Sequence, residues 1–405
     1  MPLDLPCSVI INLLRSWEDD MATPTHVQRG TLPRGVYQNL DGLKDDLLGR
    51  NGFLGRQTHL YRHGDPCEYR PAADPQTRSA LQRQLSPTDA TDPSGTPIRL
   101  AHNESCQLWL SRRAAAMPFY RRNLDGDEAV FVHRGQGVFE TEFGPIPFEP
   151  GDVVVIPKSV THRLVPDGAD NVFLITETTE ELVVPDYGLI GHYTPVDPSM
   201  IFIPEPEVLP STEPEYEVRL KHGGDHASIG YDHNPCDVAG WRGDYFPWKY
   251  NIRDFKTLNA DAAHILPSAR TLLATPSMDV LLAVFGPHRA PMVPGVEKTP
   301  PSHRNADYDE VLFSHDGQAF GNPMPTGVLM HVPQGLHHGV PEAEKQRIRE
   351  EYPAELLLDS VAVAIDCRAR FVLDEAFVRA FEELTSGESA SGDNPVATLL
   401  NGESR

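Results

Sequence analysis

Two histidines and a glutamate lie in the second half of the chain as His303, six residues, Glu310, 27 residues and His338. Neutral imidazoles and carboxylates both donate to divalent transition metals. Two of the first with one of the second form the facial set that holds non-haem Fe(II) and leaves positions open for substrate and O2. The residues around them are written twice. "HRNADYDEVLF" (303–313) has a counterpart "RRNLDGDEAVF" (121–131), displaced by 182 residues between Arg121 and His303. Further on, Gly327, Pro333, Gly335 and His338 are matched by Gly151, Pro157, Ser159 and His162, displaced by 176 residues between His162 and His338. The copies differ at their first residue. Arg121 stands where the second copy has His303, and a guanidinium keeps its proton and offers no lone pair to a metal. Arg121 is therefore expected to pair with Glu128, beside His162, and to fill a degenerate metal site. The second copy is then the one equipped for chemistry. The repeat sets His162 against His338, which makes His338 the expected third donor rather than its neighbour His337.

These donors need elements that turn them toward one point. Seven positions separate His303 from Glu310, so a single straight strand would aim them at opposite faces. A turn at "ADYD" (306–309) is expected to re-aim the glutamate. The first block, "EAVFVHRGQGVFETEFGPIPFEPGDVVVIP" (128–157), consists of short alternating runs cut by Gly and Pro, the pattern of antiparallel strands joined by tight turns. The 38 prolines and 31 glycines of the chain agree with many short elements. "LDEAFVRAFEELT" (373–385) has helical apolar spacing and precedes a polar tail. Net charge is −23, which disfavours nucleic acid as a partner. No apolar run suits a membrane span. Five cysteines without a CxxC pair fit a reduced, cytoplasmic protein.

The motif spacing resembles that of the cupin superfamily, small antiparallel jelly-roll barrels. The usual H-x-H is altered here, with Asn305 at the second histidine. The fold expected from this resemblance is mainly β, a bicupin of two jelly-roll barrels from an internal duplication. The division expected is an N-terminal extension packing on the barrels (1–100), a first barrel with a degenerate metal site (101–180), and an irregular connector (181–264). A second barrel with the metal site (265–372) and a C-terminal helix and tail (373–405) follow.

A closer resemblance is to the homogentisate 1,2-dioxygenase family. It rests on "CDVAGWRGDYFPWKYNIRDF" (236–255), "PPSHRN" (300–305) and, more weakly, "GFLGRQTHLYRHGDP" (52–66). It implies Fe(II) on His303, Glu310 and His338, and O2-dependent opening of an aromatic ring of the hydroquinone type. "AHILPSART" (263–271) resembles the family's acid/base site and implies that role for His264, a residue type suited to proton transfer near neutral pH. Arg304, Phe320 and His337 are candidate substrate contacts, with Arg270 a further arginine able to meet a carboxylate. The resemblance also implies a trimer-based homo-oligomer that acts on a small aromatic molecule and O2. The chain departs from the family in two places. Ser302 stands where an aromatic pair precedes the first ligand, and "GQAF" (317–320) lacks the family's tyrosine. A lost hydroxyl in a pocket changes specificity strongly, so the expected substrates extend to gentisate, a hydroxyanthranilate or a secondary metabolite. A binding bicupin without turnover is the alternative of another class.

Overall fold

The computed structural model describes residues 27–51, 54–70, 74–186, 193–262, 270–319, 322–323, 325–352 and 356–386. The chain enters through strands β1 (Lys44–Asn51), β2 (Leu54–Arg62) and β3 (Arg78–Leu81), followed by a short 3-10 turn at Gln82–Gln84. The first barrel is built from β4 (Ile98–His102), β5 (Cys106–Ser111), β6 (Tyr120–Asn123), β7 (Asp127–Arg134), β8 (Gly137–Thr141), β9 (Gly144–Phe148), β10 (Asp152–Ile156), β11 (His162–Pro166) and β12 (Val172–Thr178). A hairpin of β13 (Tyr216–His222) and β14 (Asp225–Tyr231) comes next, then β15 (Trp248–Asn251), again followed by a 3-10 turn, Ile252–Asp254.

The second barrel holds β16 (Thr271–Ala274), β17 (Val280–Phe285), β18 (His288–Arg289), β19 (Ser302–Asn305), β20 (Asp309–Asp316), β21 (Gln318–Ala319), β22 (Asn322–Pro323) and β23 (Val328–Val332). Helix α1 (Glu342–Glu351), β24 (Leu357–Leu358) and β25 (Val361–Cys367) follow. The chain then returns to the first barrel, where β26 (Val372–Leu373) pairs with β4 and helix α2 (Glu375–Ser386) packs against β3 and β4.

The duplication is legible in strand order. One sheet of the first barrel runs β10-β7-β12-β5-β4, and the matching sheet of the second runs β23-β20-β25-β17-β16, all antiparallel. The fold is mainly β, two jelly-roll barrels from an internal duplication.

Each barrel is finished by strands from outside its own block. β13 adds to β6 in parallel, and β15 adds to the edge of β10. In the second barrel β1 adds to β19 in parallel, and β3 adds to the edge of β23. The hairpin and strand of the connector thus serve the first barrel, while the same arrangement at the N-terminal end serves the second. Much of the connector is irregular, but two of its strands, β13 and β15, pair with the first barrel, and β14 extends that sheet through β13.

Strands β7 and β12 are buried almost throughout, as central strands covered on both faces must be. Their two faces feed different cores. Val130, Val132, Ile175 and Phe173 fill the first barrel with Phe139, Phe148 and Ile156. Phe131, Leu174 and Val153 instead pack between the barrels against Val311, Phe313 and Ile365. Phe131 meets its own counterpart Phe313 edge-on, ring centroids 6.2 Å apart. His133 meets its counterpart His315 with Nδ1 atoms 2.9 Å apart. Residues touching their own equivalents mark an isologous contact about a local two-fold.

Candidate metal centre

In the second barrel the chain turns at Ala306 and Asp307, so His303 leaves from β19 and Glu310 from β20. The turn is held by Asp309, whose carboxylate accepts from the backbone N–H of Gln334 (2.8 Å) and of Phe371 (2.9 Å). Asp309 Oδ2 also lies 3.2 Å from His331 Nε2, so its carboxylate is fully engaged within the barrel. His338 returns beside His303, and the two exchange backbone hydrogen bonds of 2.9 Å each. His303, Glu310 and His338 each offer a donor atom, and these atoms all lie within 4.8 Å of one another. His338 Nε2 is 3.5 Å from Glu310 Oε2, and the two imidazole centroids are 4.0 Å apart.

The outer atoms of both rings are fixed by backbone. His303 Nδ1 donates to Pro301 O and His338 Nδ1 to Leu336 O, each at 3.1 Å. A proton on Nδ1 puts the lone pair on Nε2, the tautomer a metal-binding histidine needs. Burial, then the neighbouring His338, pushes His303 well below the usual histidine range and keeps it neutral. His338 Nε2 is buried and has no hydrogen-bond partner. An orphaned buried acceptor is costly, and a cation at the centre of the three donors would satisfy it. The residues present fit a divalent metal.

The first barrel shows the same frame closed. Arg121 Nη2 donates to Glu128 Oε1 at 2.8 Å, and His162 Nε2 stands 4.0 Å from Glu128 Oε2. Burial and the Arg121 charge push His162 down to about 4. The side chains of Glu128 and His162 are only 3% and 4% exposed. Their counterparts Glu310 and His338 keep 13% and 16%. The guanidinium occupies the place that the second barrel leaves accessible.

The charges behind these donors also differ. Glu177 lies opposite Glu128 across β12 and β7, and Asp366 lies opposite Glu310 across β25 and β20. Glu177 pairs with Lys221 from β13, whereas the position of Lys221 on β1 is Gly49. The first barrel thus sets Arg121 and Lys221 against Glu128 and Glu177. The second sets Glu310 and Asp366 against no cation from either matched position. Burial, then the Glu310 charge, pushes the Asp366 carboxyl well above its usual range, and a bound cation would reverse that push.

The other candidate residues fall elsewhere. His337 Nε2 is 3.1 Å from each Asp46 oxygen, and Asp46 is also held by Arg62 at 2.6 Å. Neighbouring residues of an extended segment face opposite ways, so His337 stands outside the donor cluster. For the same reason Arg304 faces away from His303; its Nε is buried without a partner. Arg270 precedes β16, three strands across the sheet from β20, and burial brings it down to about 10. As contacts to a molecule at the donor cluster, His337, Arg304 and Arg270 are not supported by the structure. His264 and Phe320 lie outside the described residues. Asp366 and Gly49 escape a motif search, whereas Asn305 stands at the second histidine of the first motif. Of the two, only Asp366 carries a signal, the position shared by "VFLITE" (172–177) and "VAVAID" (361–366).

Residues 80–252 match the family described as homogentisate 1,2-dioxygenase N-terminal. A protein of Nitrobacter hamburgensis named homogentisate 1,2-dioxygenase is 34% identical over 171 residues, which are 42% of this chain and 37% of that one. The match therefore spans little more than a third of that relative. The family match at 80–252 covers the first barrel and the hairpin with β15, and stops short of His303, Glu310 and His338. Among solved structures, a cupin 2 conserved barrel domain protein from Leptotrichia buccalis is similar over 68% of this chain and 88% of its own, at 10% identity and TM-score 0.34. Protein Ylba from E. coli is similar over 73% and 92%, at 11% identity and TM-score 0.31.

Proposed function

We propose, from the match of residues 80–252 to the homogentisate 1,2-dioxygenase N-terminal family and the similarity to a protein of that name, that the chain is an Fe(II)-dependent, ring-cleaving dioxygenase acting on homogentisate or a similar hydroquinone-type aromatic acid. The observation that carries the proposal is the convergence of His303, Glu310 and His338 with both Nδ1 atoms tied to backbone. Iron held there would pass electron density from the ring to O2. The chain's own part is to bind and orient. The two imidazoles and Glu310 would hold the metal on one side and leave the other side open to the barrel interior, where Glu310 and His338 remain accessible. His264, by the resemblance, would take the proton of the substrate hydroxyl. The surrounding β-sheets keep bulk water from the reacting atoms.

The test is O2 uptake by anaerobically iron-loaded protein given homogentisate, then gentisate, then 3-hydroxyanthranilate, with His303→Ala as control. Uptake with homogentisate that vanishes in the variant is the expected result. Absence of uptake with every aromatic despite bound iron would overturn the reaction class.

One observation favours a second reading, a related dioxygenase for a different aromatic. The family's tyrosine beyond the first motif is missing from "GQAF" (317–320). Ser302, at the place of the family's aromatic pair, is buried and accepts from Lys345 Nζ at 3.0 Å. The loss of a hydroxyl that meets a polar substrate group changes the substrate more readily than it changes the metal chemistry.

A further inference from the structure

The duplication gives each residue of the second barrel a counterpart whose partners are visible, and one partner has no counterpart. In the first barrel the Glu177 carboxylate accepts from Lys221 Nζ and from Asn123 Nδ2, the latter at 3.0 Å. Lys221 Nζ is also 3.3 Å from Asp125 Oδ2. The lysine comes in from β13, where it lies opposite Asn123, and it is buried. In the second barrel Asp366 replaces Glu177 and Asn305 replaces Asn123, but Gly49 stands opposite Asn305. No side chain of β1 can bring an ammonium to Asp366 from that position. Asp366 Oδ1 and Asn305 Oδ1 are both buried without a hydrogen-bond partner.

We propose that the space bounded by Asp366, Asn305 and Gly49 binds an amino group of the substrate, in the place that Lys221 fills in the first barrel. The inference rests on the second reading above, a ring-cleaving dioxygenase for a different aromatic, for its placement beside the metal. Two unpartnered acceptors call for at least two N–H donors on one group. An amino group supplies them, whereas a hydroxyl has a single proton to donate. A divalent metal would take the place of the Arg121 guanidinium, against Glu310. An aromatic amine is uncharged at neutral pH, so the substrate's amino group takes the place of Lys221 as a hydrogen-bond donor to Asp366 and Asn305 and not as a cation. The substrate class is thus an aromatic that carries an amino group beside its metal-binding oxygen, an aminophenol.

The test uses aniline, titrated calorimetrically into the full chain with and without iron, and compared with phenol. Gly49→Lys fills the site from the protein itself; an extended strand accepts lysine. Asp366→Asn removes the carboxylate acceptor with little change in shape. The expected result is saturable aniline binding to the iron-free chain, about tenfold or more tighter than phenol, lost in both variants while Gly49→Lys still takes up iron. A turnover preference for 3-hydroxyanthranilate over homogentisate should disappear with it. Aniline binding no tighter than phenol, or unchanged in both variants, overturns the site. Oxygen uptake without aniline binding overturns this site and leaves the reaction, and aniline binding by an iron-loaded chain that takes up no O2 with any aromatic overturns the reaction and leaves the site.

Discussion

At the scale of single residues, the two barrels differ by a few exchanges with large consequences. Arg121 in place of a histidine turns a donor set into an ion pair. Glu128 is buried, so taking away its partner leaves a charge stranded. Arg121→Met should therefore cost about 3 kcal/mol in denaturant unfolding, while the iron bound per chain stays the same because the second barrel is untouched. The neighbouring histidines His337 and His338 separate by face. His338→Ala should abolish Fe(II) binding in an anaerobic titration. His337→Ala should retain it, since its ring is engaged with Asp46. Equal loss in both variants would mean that the backbone bridge between His303 and His338, not the Nε2 donor, is what matters. The donor trio and the arginine exchange are legible from spacing alone, because both motifs are local. Gly49 and Lys221 are not. Each acts on a strand some hundred or more residues away in sequence, through a parallel pairing that leaves no local pattern.

At the scale of elements, the metal site depends on strands that precede the first barrel. β1 lies between β2 and β19, and its Leu47 is the register partner of His303. A proline there removes a ladder donor in a central strand and clashes with its neighbours. Leu47→Pro is expected to release iron although it alters no ligand. The matching Arg219→Pro in β13 should disturb the first barrel and leave the donors in place. Iron content of the two purified variants, with circular dichroism as a check on folding, decides the matter. Loss from Arg219→Pro alone would contradict the crossed pairing. Sequence periodicity marks neither of these strands, which lie in the expected N-terminal extension and irregular connector. "KDDLLGRN" (44–51) and "YEVRLKH" (216–222) each form a strand, and nothing in either says which barrel it completes. The helical spacing at 373–385 is a local signal and corresponds to α2 (Glu375–Ser386).

At the scale of the whole molecule, the barrels meet through paired equivalents, and one pair titrates. His133 and His315 share a hydrogen bond between Nδ1 atoms, so one ring must donate and the other accept. Two protonated rings cannot do this. Burial, then His315, pushes His133 down to about 4, and burial pushes His315 down as well. The folded pKa values lie below the unfolded value, so the folded state binds fewer protons. The stability held by this pair is complete above an unfolded pKa of about 6.5 and is lost as pH falls from there through about 4. His133→Phe should flatten that acid slope in unfolding curves taken between those limits. An unchanged slope would place the titration in the other buried histidines, His162 and His288. Phe131 and Phe313 are placed one turn of the pattern away, and the same local two-fold relates them. That axis cannot be read from either block alone, since it exists only once the two are docked.

The two barrels differ by one asymmetry, an open donor trio in the second and an ion pair in the first. Anaerobic Fe(II) titration of the wild type, Glu310→Gln and Glu128→Gln measures it directly. One iron per wild-type chain is predicted, none in Glu310→Gln and one in Glu128→Gln. No iron in the wild type, two per chain, or iron that survives Glu310→Gln would contradict it.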